Sequence, residues 1–284
     1  MGNVLKTPVL SAFADEASQE LAGQIAAMRR NGISGLEIRS VEGKNVSDLT
    51  LAEAREIRAR LEGEGLFVWS AGSPMGKIGI TDPFGPHLEM FRHTLDVTRE
   101  LGAERMRMFS FYLPREDDPA VWKNAVLDRL GQFCDAAEGS GVFLCHENEK
   151  GIYGDIAPRC AEILAALPQL HAVFDPANFI QCGQDTMEAW SLLGDLVDYM
   201  HIKDALPDGS VVPCGRGAGR VPEIIAAFRA QGGDHFTLEP HLTIFQGLGA
   251  LEHDGIRSGI QEYAYPTADT AFDAACDALR SYLD

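Results

Sequence analysis

Gly141-Val142-Phe143-Leu144-Cys145-His146-Glu147-Asn148-Glu149 holds the fold in miniature. The glycine suits the left-handed residue that commonly closes a helix. The run Val142–His146 is too short for a helix and too continuously apolar for a half-exposed strand. It reads as a strand buried on both faces, as in a parallel sheet. Polar side chains crowd its far end. Outward in both directions the same grammar recurs, with further strand candidates at Val9–Phe13, Gly35–Ile38, Leu66–Ser70, Arg105–Phe111, Ala172–Phe174, Asp198–Ile202 and Phe236–Leu238. Amphipathic stretches separate them. Glu20–Arg30 places Leu21, Ile25 and Met28 at helical spacing, Leu51–Leu61 and Leu88–Leu101 behave alike, and Val221–Arg229 sets Val221, Ile224, Ile225 and Phe228 on one side. Gly32, Gly65, Gly102 and Gly141 read as helix ends, and Ser18 and Thr50 as N-caps. Eight βα units of about 25–35 residues predict an α/β fold, a single (β/α)8 barrel spanning residues 1–284. Two irregular segments, residues 204–219 and 243–266, read as loops elaborated over one face, either functional or plain surface excursions.

A chain of 284 residues, 45% hydrophobic and 23% charged, has the composition of a soluble domain with a substantial core. No apolar run approaches the roughly 18 residues of a spanning helix, and the first residues make a poor export signal, so a cytoplasmic location is expected and membrane association is not. Lys6 stands where a myristoylation motif wants Ser or Thr. The net charge of −18 repels phosphate backbones, which argues against a nucleic-acid partner. It leaves a small anionic ligand open, and acidity serves solubility first. Of the six cysteines, Cys134, Cys145, Cys160, Cys182, Cys214 and Cys276, none form a C-x-x-C pair. They read as small buried residues in a reducing compartment.

In a parallel barrel every strand ends at the same face, and active sites gather there. Strand five finishes at Glu147, strand six at Asp175, strand seven at His201 and strand eight at Glu239. Three carboxylates and one imidazole at one mouth are the ingredients of a mononuclear divalent site. Oxygen-rich ligation suits Mn2+ best, with Co2+, Mg2+, Fe2+ or Zn2+ as alternatives.

The motifs that carry these residues resemble the sugar phosphate isomerase/epimerase family, whose TIM barrel is like that of xylose isomerase. That family's ligands, a Glu, an Asp, a His and a Glu on successive late strands, map onto Glu147 in HENE, Asp175 in FDPAN, His201 in HIKD and Glu239 in LEPH. HENEKGIYG, FDPANF, HIKD and LEPHL together look like the branch holding the α-subunits of bacterial C-glycoside deglycosidases. The resemblance implies a metal-dependent barrel acting on 3-oxo-glycosides, usually with a small β-subunit, and makes His146 a candidate base. Self-association is also expected. Ketose 3-epimerases of the family carry D-x-x-H on strand six and an Arg six residues beyond the strand-seven His. This chain has Asn178 and Pro207 there, which disfavours a simple ketohexose 3-epimerase.

The chemistry expected is abstraction of a proton beside a carbonyl, with His146 or Glu239 as base and Glu147 and the metal holding a small sugar or glycoside. Reprotonation gives an isomer or epimer, and expulsion of a β-substituent gives a lyase. His146 and Glu147 adjoin, so an ideal strand faces them oppositely, and both reach one pocket only through a twist or bulge. Otherwise His146 orients a ligand or satisfies the core. Lys77, Arg107, Asn178, Lys203 and His241 are candidate substrate contacts, with structural ion pairs or loop capping as the other reading. Gly215–Arg220, GRGAGR, lacks phosphate-loop spacing and reads as a lid bringing Arg216 to substrate, or as a plain loop. Glu37 and Arg39 pair internally or line the mouth. An endonuclease IV-like nuclease would want more His ligands and a basic groove, and a non-catalytic sugar-binding barrel would have less reason to keep four ligands.

Overall fold

The computed structural model describes residues 6–244, 260 and 265–283. Eight parallel strands close into a barrel: β1 (Val9–Ala12), β2 (Gly35–Ile38), β3 (Phe67–Gly72), β4 (Arg105–Met108), β5 (Phe143–Glu147), β6 (His171–Phe174), β7 (Val197–Ile202) and β8 (His235–Leu238). Sequence neighbours pair around the ring. Closure is made by β1 on β8, from Val9 opposite His235 to Ala12 opposite Leu238. The strands are buried almost throughout, as expected of a sheet covered on its outer face and filled within. The register slips at two places, between Leu36 and Glu37 where β2 meets β3, and between Ala172 and Val173 where β6 meets β7.

The outer helices are α1 (Leu21–Arg30), α2 (Leu51–Gly63), α3 (Phe84–Glu100), α4 (Pro119–Ala137), α5 (Ala157–Ala166), α6 (Pro176–Gln181), α7 (Thr186–Leu193), α8 (Val221–Ala230) and α9 (Ala268–Arg280). Their apolar faces meet the barrel in one continuous core, in which Phe91 stacks on Phe133 with centroids 4.3 Å apart. Thr50 caps α2 through a full capping box with Glu53. Ser18 is not the cap of α1. Glu20 holds that position, and the Ser18 hydroxyl instead accepts from the Glu20 N–H. Gly32, Gly65, Gly102 and Gly141 all adopt positive φ, but Gly139, also at positive φ, directly follows the α4 cap residue Glu138.

β2 has the expected bounds, and the other strands shift at one or both ends by one to three residues. The largest change is at β4, which ends at Met108, because Phe111 turns to φ +67° and leaves the sheet direction. Residues 204–219 form a short antiparallel hairpin, Asp204–Ala205 with Val211–Val212, followed by the glycine-rich turn. Most of the other expected loop, residues 245–259 and 261–264, lies outside the described residues. Among the described residues no helix is long and apolar enough to cross a membrane. The six cysteines are free thiols, five of them buried and Cys182 half-buried.

Candidate metal centre

Glu147 ends β5, Asp175 follows β6, His201 is the penultimate residue of β7, and Glu239 follows β8. Each offers one donor atom within 4.8 Å of all the others, and all four residues are buried. Donors held by one ion at about 2.0–2.2 Å lie up to roughly 4.4 Å apart, so tenths of an ångström separate this arrangement from a coordination shell. His201 turns Nδ1 toward the cluster, 3.0 Å from Glu147 Oε1 and 3.6 Å from Glu239 Oε2. Buried Asp175 Oδ2 accepts no aligned hydrogen bond, although Lys203 Nζ stands 2.8 Å away as its ion-pair partner. An acceptor left over among three carboxylates fits a divalent cation.

Fixed partners hold these side chains. Arg107 Nε lies 3.2 Å from Glu147 Oε2, and the Asn178 amide donates to Glu147 Oε1 at 3.3 Å. Asn148 clamps the Asp175 main chain from both sides, donating to its carbonyl and accepting from its N–H, each at 2.9 Å. Asp175 also caps α6 by accepting from the Asn178 N–H. Lys203 Nζ donates to Glu239 Oε2 at 2.9 Å, and Arg39 reaches Glu239 Oε1 at 3.4 Å while binding Asp15 and Glu16. A second acidic group, Glu16, Glu239 and His241, is equally tight. There the Arg39 guanidinium already supplies the positive charge. His241 sits at φ +45°, its N–H held by Glu16 Oε2 at 2.6 Å.

Crowded burial shows in the electrostatics. Burial pushes the Asp175 carboxyl up to about 7; Lys203 opposes this, and Glu239 and Glu147 add to it. Glu16 is raised to about 8, first by burial, against the pull of Arg39. Burial also works against a charge on Glu239, but Lys203, His241, His201 and Arg39 together hold it well below the usual carboxylate range. Without an ion, burial disfavours charge on His201, yet Glu147 and Glu37 raise it to about 10. Concentrated negative charge of this kind is what a divalent cation relieves.

Of the residues expected at the site, Lys77, Arg107, Glu147, Asn178, Lys203, Glu239 and His241 line one pocket, with Asp175 and His201 buried beside it. Arg107 is spent on an ion pair with the candidate ligand Glu147, and Asn178 on a hydrogen bond to it. Lys77 pairs with Glu149 at 3.2 Å and lies over the Phe109 ring. Its loop is fixed by Gly76, at φ +85° with its N–H donating to His87 Nε2 at 2.8 Å.

His146 is not brought to the pocket. β5 pairs with β4 and β6 without a register slip, so Glu147 faces inward and His146 outward. The His146 ring packs where a side chain on Gly154 would be, since a Cβ there would lie 2.4 Å from its Cε1. Burial alone lowers it to about 4. Arg216 is also absent from the pocket, its side chain exposed on a turn whose glycines serve another purpose. The Asp204 carboxylate accepts from the N–H groups of Ala205, Gly215, Gly217 and Gly219, all at 2.9–3.0 Å. GRGAGR is thus an anion nest filled by the chain's own carboxylate.

Sequence reasoning missed Glu149, Lys150 and Gln181 on the pocket wall, where Lys150 Nζ donates to Gln181 Oε1 at 2.9 Å. Glu149 closes HENE and Lys150 follows it, and Gln181 lies on α6 just past FDPAN, so reading each motif to its end and a few residues beyond would have found them.

The family model described as xylose isomerase-like TIM barrel matches residues 25–261. No curated protein matches the chain. Among solved structures it is similar to IolI protein with a bound zinc atom (16% identity, TM-score 0.75, covering 97% of this chain and 98% of that one). It is also similar to L-ribulose 3-epimerase (17%, 0.74, 98% and 95%) and to the probable 3-DHS dehydratase AsbF from Bacillus anthracis (15%, 0.72, 97% and 99%).

Proposed function

The chain belongs to the xylose isomerase-like TIM barrel family, and from that premise we propose a divalent-metal-dependent enzyme that removes the proton beside the carbonyl of a keto-sugar. The observation that carries this is the set of four buried donors converging from four successive strands. Glu147, Asp175, His201 and Glu239 would hold the ion, Mn2+ in the favoured case, which supplies Lewis-acid polarisation of a carbonyl. Glu239, kept ionised by its cationic neighbours, is the group to accept the α-proton. Lys203 Nζ, 2.9 Å from Glu239, would donate toward the oxygen on which negative charge develops. Arg107 and Asn178 keep Glu147 in one orientation, while His241 and Lys77 offer donors to sugar hydroxyls. Burial of the cluster excludes bulk water from the reacting carbons.

The favoured finer reading is the α-subunit of a C-glycoside deglycosidase. Loss of the α-proton from a 3-oxo-glycoside is followed by rupture of the bond to the aglycone on the next carbon. Its support is the HENEKGIYG and FDPANF resemblance and an amide, Asn178, where the epimerases carry an imidazole. A small β-subunit and self-association belong to this reading, and light scattering with and without the subunit tests both. Isomerisation or epimerisation is the second reading. Glu147 and Glu239 both approach His201 Nδ1, at 3.0 and 3.6 Å, a pair of carboxylates such as proton transfer at two faces needs, and an epimerase shares the fold.

The test is α-proton exchange in D2O with Mn2+, over ketoses, an inosose and 3-oxo-glycosides. No exchange on any substrate refutes enolisation. Isomer formation alone rejects the lyase, and release of free aglycone establishes it.

A further inference from the structure

His201 has two ring nitrogens, and only one without a proton can bind an ion. Nδ1 faces Glu147 and Glu239, while Nε2 lies 3.2 Å from Glu37 Oε2. A carboxylate only accepts, so Nε2 keeps its proton toward Glu37, and Nδ1, on the side of the donor set, is the nitrogen left to face an ion when one binds. We infer that Glu37 is a positioning residue that selects the nitrogen His201 offers to the ion and thereby sets how tightly the ion is held. This rests on the metal reading above.

Four observations support the assignment. Glu37 comes from β2, across the barrel from β7, and its side chain is 0% exposed. The register slip between Leu36 and Glu37 sits at this residue, where a bulge re-aims a side chain. Tyr199 Oη donates to Glu37 Oε1 at 2.9 Å, so both carboxylate oxygens are engaged and the group cannot swing away. Phe13 meets the His201 ring edge-on at 5.1 Å and Tyr199 at 5.6 Å, which restrains ring rotation. A carboxylate at the centre of a barrel is costly, and replacing such groups by apolar ones is often neutral or stabilising. Holding a ligand imidazole is a reason to keep it, since partners of this kind raise metal affinity by about 10–100-fold.

The competing role, a cross-barrel tie that serves stability alone, predicts a different result. Mn2+ dissociation constants are to be measured by electron paramagnetic resonance of the free ion for the parent, Glu37→Gln, Glu37→Met and Tyr199→Phe, with urea midpoints taken metal-free. Glu37→Gln keeps the size and one acceptor but removes the charge. It is expected to bind Mn2+ about 10-fold more weakly, and Glu37→Met up to about 100-fold more weakly, with metal-free midpoints near the parent's. Dissociation constants within threefold of the parent in both Glu37 variants overturn the inference, as does a lowered midpoint with unchanged binding. If Glu37→Met fails to fold, the near-isosteric Glu37→Gln and the more distant Tyr199→Phe decide alone. A parent that binds neither Mn2+, Co2+ nor Zn2+ removes the metal reading itself, an outcome separate from a parent that binds and variants that match it.

Discussion

Asp204→Asn should open the glycine-rich turn while leaving the barrel standing. The native carboxylate takes two N–H groups on each oxygen, Gly215 and Gly217 on Oδ2, Gly219 and Ala205 on Oδ1. An asparagine amide has one oxygen, so either rotamer leaves two N–H groups facing its NH2. Hydrogen bonds to a charged acceptor contribute about 1.5–3 kcal/mol each, which puts the loss near 3–6 kcal/mol before the relief of no longer burying a charge. The glycines leave no room for adjustment, because a Cβ at Gly217 would already lie 2.3 Å from Asp204 Oδ1. A net loss of about 3 kcal/mol corresponds to roughly 100-fold in the local opening equilibrium. Hydrogen exchange of the segment 206–220 reads it directly, with slower-exchanging β-strand amides as the internal standard. Protection within threefold of the parent would refute the idea that this carboxylate organises the turn.

A divalent ion at 100 times its dissociation constant should stabilise the protein by about 2.7 kcal/mol, roughly 5–10 °C in melting temperature, reversed by chelator and absent in Asp175→Asn; scanning fluorimetry with and without metal checks this. His87 is buried, accepts the Gly76 N–H on Nε2 and is lowered to about 4, first by burial and then by Arg129. Its folded pKa lies below the unfolded value near 6.5. The stability it lends is therefore complete above pH 6.5 and lost as pH falls toward 4, by about 3 kcal/mol; urea midpoints between pH 7 and pH 4 should flatten in His87→Gln. His146→Ala should keep turnover within a few-fold of the parent while losing roughly 1–3 kcal/mol of stability, and a collapse of turnover with metal still bound would return His146 to the chemistry. Gly76→Ala, whose Cβ would lie 2.1 Å from the Phe109 carbonyl oxygen, should displace Lys77 and melt several degrees lower.

The barrel was legible because buried parallel strands and amphipathic helices write different periods, and glycines punctuate the joins. The convergence of the four candidate ligands was legible for a related reason, since topology sends every strand end to one face. His146 shows where legibility stopped. Adjacency in sequence suggested a shared pocket, but facing is decided by strand register, and β5 runs without the slip that would have turned it inward. GRGAGR read as a lid or a plain loop because nothing in its own residues announces that Asp204, eleven positions before Gly215, fills it. Glu37 lies 164 residues from His201, a pairing that only the closed ring creates.

Closure of the ring divides labour between the two halves of the chain. All four candidate ligands lie beyond residue 140, on β5 to β8. The groups that steady three of them, Glu37, Arg39 and Arg107, come from β2, the turn after it, and β4. A C-terminal half standing alone would carry the whole donor set with Lys203 as its near counter-charge. Arg107 arrives when β4 pairs with β5, and Arg39 and Glu37 when β1 docks on β8. On the metal reading proposed above, capture of an ion would report on assembly: the later half brings the candidate donors, and the earlier half locks them in place.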